Sequence, residues 1–173
     1  RDRPWMSIGY ETQVPPMNIL TFYNAIANNG VMVRPKFVKA AIKNGEIVKE
    51  YPTEIINPKI CSERTLKQIQ EILYKVVHEG LAAPAGSKQF AVSGKTGTAQ
   101  ENKKRPNHAL FISYAPYDNP DITMTVVVPN GYTSANAAEI ARDIYKYYFG
   151  KASKAEKKAT TALLPTGSDG SND

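Results

Sequence analysis

Between Pro15 and Gly30 the apolar residues Ile19, Leu20, Tyr23, Ile26 and Ala27 recur at three- and four-residue intervals, the spacing of a helix with one buried stripe. Proline suits the first turn of that helix, and Asn28-Asn29-Gly30 supplies a left-handed stop. Extended stretches follow over 31–42 and 47–51, joined at Asn44-Gly45, a dipeptide that favours a tight type I′ hairpin turn. Ser62 then reads as the N-cap of a second helix, running to about Glu79 with Leu66, Ile69, Leu73, Val76 and Val77 inward and Gly80 ending it. Three strands are predicted next, over 90–98, His108–Ala115 and Ile122–Val128. The last two are nearly continuous apolar runs, as expected for strands covered on both faces. Asp118-Asn119-Pro120-Asp121 makes the turn between them, so that pair should be antiparallel. A last helix is predicted over 136–149, with Ile140, Ile144 and Tyr147 or Tyr148 on one stripe and Asn136 and Glu139 as a capping box. The expected fold class is α+β: a small antiparallel sheet packed on helices, two helices before the sheet strands and one after. Residues 151–173 turn polar and small, and read as a disordered tail.

Composition narrows this only slightly. The 173 residues fit one ordinary domain, and a 42% hydrophobic content is enough to bury a core. The single cysteine, Cys61, forms no intrachain disulfide, and with only His78 and His108 there is no metal-ligand cluster, so neither a metal nor a cofactor is expected. No apolar run approaches the ~18 residues of a membrane span, and the N-terminus does not resemble a signal peptide. A net charge of +6 suits nucleic acid, an anionic surface or an acidic ligand without choosing among them. The densest basic run, with Lys103, Lys104 and Arg105, reads as a solvated loop, and no nucleic-acid-binding signature accompanies it.

One segment carries chemistry: Ser93-Gly94-Lys95-Thr96-Gly97-Thr98-Ala99-Gln100. A phosphate-binding loop is excluded, because that pattern needs glycine at position 89, which is Gln89, and a helix after the motif, where the chain turns to loop. The alternative is a strand-borne Lys-Thr-Gly motif at the edge of a cleft. On a strand Lys95 and Thr96 point to opposite faces, while Thr98 shares the face of Thr96. Two hydroxyls two residues apart suit a carboxylate, with the lysine charge nearby. Gly97 leaves room for a ligand backbone, and a free edge can pair with an extended peptide or aim an N–H at an oxyanion.

The surroundings give this motif a context. Ser7-Ile8-Gly9-Tyr10, the helix ending Ala27-Asn28-Asn29-Gly30, Arg34-Pro35, Val76-Val77-His78-Glu79-Gly80-Leu81-Ala82, Gly94–Gln100 read as GKTGTAQ, and the strand and turn ending Tyr117-Asp118-Asn119-Pro120 resemble, in order and spacing, the class B penicillin-binding proteins. Leu81 stands where that family commonly has threonine. The resemblance spans roughly residues 5–150 and implies part of a β-lactamase/transpeptidase-like fold. It implies a peptidoglycan D,D-transpeptidase, acting by serine acyl transfer on stem peptides that end in D-Ala-D-Ala and trapped by β-lactam antibiotics. Carried to matching positions, Lys95 helps polarise the site, Thr96 and Thr98 hydroxyls hold the donor carboxylate, Gly97 gives access, and the Thr98 N–H supplies half of an oxyanion hole. Other implied partners are the upstream part of the same transpeptidase domain and the cell-wall synthesis machinery of division or cell shape; nucleic acid is not among them. The implied location is the extracytoplasmic face of the bacterial membrane, behind an N-terminal anchor missing from this chain.

The departure from the family pattern lies in the nucleophile. None of the serines is followed by lysine three residues later, and Ser134-Ala135-Asn136 comes after Lys-Thr-Gly, where the family places Ser-x-Asn before it. The expectation is therefore the C-terminal part of a transpeptidase domain, over residues 1–150, that begins in mid-domain and is inactive alone. Alternatives are a non-catalytic β-lactam- or peptide-binding module, or a sensor resembling a serine β-lactamase. His78 and Cys61 match no functional motif and are expected to be structural.

Overall fold

The computed structural model describes residues 14–99 and 104–163. Helix α1, Pro16–Ala27, starts with proline in its first turn and stops where Asn29 and Gly30 adopt φ of 54° and 84°. Glycine accepts that left-handed geometry freely, and asparagine tolerates it better than most residues. The stretch predicted as one extended run over 31–42 is two strands. β1, Met32–Val33, pairs antiparallel with β4, Ile55–Asn57. The chain then leaves the ladder at Pro35, which has no N–H to give it, and resumes as β2, Ala40–Lys43. β2 pairs with β3, Glu46–Glu50, across Asn44 and Gly45, whose φ values of 52° and 81° make the expected tight turn.

Helix α2, Glu63–His78, is capped as its sequence requires: the Ser62 hydroxyl accepts the Thr65 N–H at 3.2 Å. Its Leu66, Leu73 and Val77 are buried, with Ile69 and Val76 packed beside them. After a 3-10 turn at Ala83–Ala85 come the three strands of the main sheet: β5, Ser93–Ala99; β6, His108–Ala115; and β7, Ile122–Val128. They form an antiparallel sheet in the order β5-β6-β7, with Ser93 opposite Tyr114 and Tyr114 opposite Thr123. β5 starts three residues later than predicted. The Ala91 carbonyl accepts the N–H of Tyr117, beyond the end of β6, so the lead-in is held outside the regular ladder.

Helix α3, Ser134–Leu163, differs most from expectation. It starts two residues early, which places Asn136 inside its first turn rather than at a cap. The Asn136 amide instead donates to the Gly131 carbonyl at 2.6 Å and ties the helix to the turn before it. It also runs through Gly150 to Leu163, where a disordered tail is predicted. The segment after Gly150 is rich in lysine and alanine, strong helix formers that outweigh one glycine. Residues 164–173 lie outside the described residues.

The sheet is the middle layer. On one face Ala109, Phe111, Ala115 and Val126 meet Ala137, Ala138, Ala141 and Tyr145 of α3, and the small alanines let the helix approach closely. On the other face Tyr114 packs with Ile26 and Ala27 of α1 and Leu66 and Leu73 of α2. β6 is therefore covered on both sides, as its apolar run predicts, and β5 is left as an edge strand among the described residues.

Candidate functional site

Among the described residues, the Lys-Thr-Gly strand β5 is held rigidly from one side and open on the other. Rigidity begins with Gly94. A Cβ there would sit 2.6 Å from the Ile112 carbonyl oxygen, 2.8 Å from Ser113 Cβ and 2.9 Å from Phe111 Cζ, so only glycine fits. Gly94 and Ser113 form a close pair of the kind that exchanges no hydrogen bonds in an antiparallel ladder. The backbone directions follow. The Ala91 carbonyl bonds Tyr117 on the β6 side, and the Ala115 carbonyl bonds Asp121 on the β7 side. With two-residue alternation, Ser93, Lys95, Gly97 and Ala99 direct N–H and C=O groups to β6. Gly94, Thr96 and Thr98 direct theirs to the free edge.

Side-chain access divides the motif differently. Lys95 and Thr98 are exposed and Gly97 is half-buried, whereas Thr96 keeps only 7% of its surface because it stands opposite Phe111 on the face α3 covers. Thr96 and Thr98 share a face, as strand geometry requires, but only the Thr98 hydroxyl is open. A Cβ at Gly97 would meet nothing closer than Leu110 Cβ at 3.5 Å, an ordinary contact, so packing against β6 does not demand glycine there. Lys95 lies on the opposite face, and its ammonium turns back to donate to the Thr96 carbonyl at 2.6 Å. An ammonium, an open hydroxyl and outward backbone groups thus line one accessible edge.

The support beneath this edge was not legible beforehand. The buried Ser113 and Tyr145 hydroxyls meet at 2.7 Å and fasten α3 to β6. Burial pushes the Tyr145 hydroxyl's pKa upward, against the effect of its bond to Ser113. Burial also pushes Tyr114 up to about 12. On the α1 side Thr123 donates to Asn24 Oδ1 at 3.0 Å, and Gln70 of α2 donates to the Ile26 carbonyl at 2.9 Å. Nothing in the local sequence signals these three hydrogen bonds, whose partners lie 32 to 99 residues apart. His78 stacks on Tyr74 at 3.9 Å at the end of α2, and Cys61 packs partly buried against the α1–α2 cluster. Neither belongs to the edge. Ser134 opens α3, and among the described residues no His, Cys, Asp and Glu group could hold a metal ion. Ser7-Ile8-Gly9-Tyr10, Gln100 and Lys103 lie outside the described residues.

Comparison with known proteins identifies the family. Residues 2–146 match the family described as penicillin binding protein transpeptidase domain. The peptidoglycan D,D-transpeptidase MrdA of Haemophilus influenzae is 32% identical, an alignment covering 84% of this chain and 26% of that protein. Among solved structures, a D,D-transpeptidase domain of a peptidoglycan glycosyltransferase from Eggerthella lenta superposes with a TM-score of 0.71 at 24% identity, over 80% of this chain and 33% of the other. Penicillin-binding protein A from M. tuberculosis, solved as an imipenem acyl-enzyme complex, gives 0.71 at 22% identity, over 80% and 32%. The chain spans about a quarter of the length of the curated relative and a third of the solved chains. With its α+β fold and its Lys-Thr-Gly edge strand, the chain belongs to the penicillin-binding protein transpeptidase domain family.

Proposed function

We propose that this chain supplies the Lys-Thr-Gly wall of a serine-type peptidoglycan D,D-transpeptidase site. The observation that carries the reading is the free edge of β5, where Lys95 and Thr98 are accessible beside outward backbone groups while the opposite edge is bonded to β6. An extended stem peptide pairs with such an edge by strand addition. The Lys95 ammonium and the Thr98 hydroxyl then meet its terminal carboxylate, and Gly97 leaves the ligand backbone room. Thr96 contributes its outward backbone, and a hydroxyl contact would need its side chain to rotate from under α3.

In the acyl transfer, a serine oxygen attacks the carbonyl of the penultimate D-alanine and the Thr98 N–H donates to the oxyanion that forms. The terminal D-alanine leaves, and an amine of a neighbouring stem peptide takes the acyl group. One such donor is worth ~3–4 kcal/mol of barrier where single donors have been removed. β-Lactams, whose acyl group stays on the serine, occupy the same edge. The nucleophile and its lysine come from another segment of the domain, since no Ser-x-x-Lys occurs here. The chain alone is inactive, and the complete protein works at the extracytoplasmic face of the membrane with the cell-wall synthesis machinery.

A fluorescent penicillin tests this. It should label the full-length protein covalently and leave this chain unlabelled, and Lys95→Ala in the full-length protein should slow acylation by on the order of 10²-fold. Stoichiometric labelling of this chain would place a nucleophile within it and sink the assignment. The missing Ser-x-x-Lys favours one other reading, a non-catalytic module that binds peptide or β-lactam reversibly. That reading requires the full-length protein to show saturable binding without a covalent adduct.

A further inference from the structure

An edge strand that pairs with any extended chain is a hazard, and proteins block such edges with charges, bulges or covers. On β5 the block comes from within the motif. The Thr96 carbonyl faces the free edge, where it is an acceptor for a ligand N–H, and the Lys95 ammonium already occupies it at 2.6 Å. That distance is short even for a charge-assisted hydrogen bond. Among the described residues Lys95 makes no ion pair, and this carbonyl is the hydrogen-bond partner its ammonium has there.

We propose that Lys95 gates the β5 edge, so that strand pairing is open to ligands ending in a carboxylate and closed to those without one. The inference rests on the function proposed above and deepens it. A ligand N–H and the ammonium compete for one carbonyl oxygen. A ligand with a terminal carboxylate offers the ammonium a new partner beside Thr98, which vacates the Thr96 carbonyl for the main-chain bond. A ligand ending in an amide must displace the ammonium with nothing but water in exchange. Lys95 therefore does more than attract an anion: it makes recognition of the carboxylate a condition for docking the backbone. Simple attraction and gating differ in one respect. If Lys95 only attracts, removing it weakens acid-ended ligands and leaves amide-ended ones unchanged. If it gates, removing it strengthens the amide-ended ones.

The test titrates the full-length protein, its nucleophilic serine replaced by alanine so that no acyl-enzyme forms, followed by chemical-shift perturbation, with Nα,Nε-diacetyl-Lys-D-Ala-D-Ala and with its C-terminal amide. The wild type should prefer the acid by about tenfold, the scale of one charged hydrogen bond. Lys95→Met should weaken the acid and strengthen the amide severalfold, with Lys95→Gln confirming the trend and the thermal midpoint confirming the fold. Amide binding that is unchanged or weaker in Lys95→Met overturns the gate while leaving the edge reading standing. A wild type that binds neither peptide overturns the edge reading, and the gate falls with it.

Discussion

Two glycines in one motif have different jobs. Gly94 is demanded by packing, because three atoms of β6 lie where its Cβ would be, whereas Gly97 has space on the β6 side. Gly94→Ala should therefore cost about 1–3 kcal/mol in urea unfolding, the usual range for overpacking. Gly97→Ala should leave the unfolding midpoint nearly unchanged and instead weaken peptide binding at the edge. Equal stability losses from the two would contradict the geometry. The motif itself was legible as a string, and alternation put Thr96 and Thr98 on one face. That Thr96 is covered and Thr98 is not depends on Phe111 and α3, which no local pattern contains.

At the scale of elements, local rules carried far where they concerned turns and caps. Asn44-Gly45, Asn29-Gly30 and Ser62 do what their side chains and backbone freedom allow. Ser62→Ala should lower stability by about 1 kcal/mol, the ordinary value of an N-cap, measured by thermal unfolding. Boundaries read less well. Gly150 looks like a stop, yet α3 continues through it, and a Cβ there would touch nothing within 4 Å. Gly150→Ala should accordingly raise helical circular dichroism and stabilise the chain by up to about 1 kcal/mol. A helix ending at Gly150 would show no gain. The failure at 31–42 has a similar cause: apolar content signals extension, but Pro35 decides where pairing must break.

For the whole molecule, the layered arrangement buries tyrosine hydroxyls on both faces of the sheet, and this sets an alkaline limit. Burial raises the pKa of Tyr114 to about 12 and that of Tyr145 further, above the value near 10 of an unfolded tyrosine. Above pH 10 the unfolded chain releases these protons while the folded one keeps them. The stability contribution is thus complete below about pH 10 and falls as pH rises toward 12. Thermal midpoints measured from pH 9 to 12 should drop over that window, with tyrosinate absorbance from these two groups appearing only as the protein unfolds. Tyr145→Phe should shallow the drop. A flat midpoint would show that the two phenols are not held in the core.

The sequence by itself determined the class of fold, the number and order of the long elements, and a motif string specific enough to indicate the family. These rest on interactions within a few residues, namely helical and strand periodicity, turn chemistry and the order of short motifs. Only the tertiary structure decided which edge of β5 is free, which backbone groups face it, that Thr96 is buried and that Lys95 rests on the Thr96 carbonyl. The physical reason is that strand partners and covering helices come from residues far apart in the chain. Accessibility, and with it the chemistry a motif can perform, is a property of that assembly.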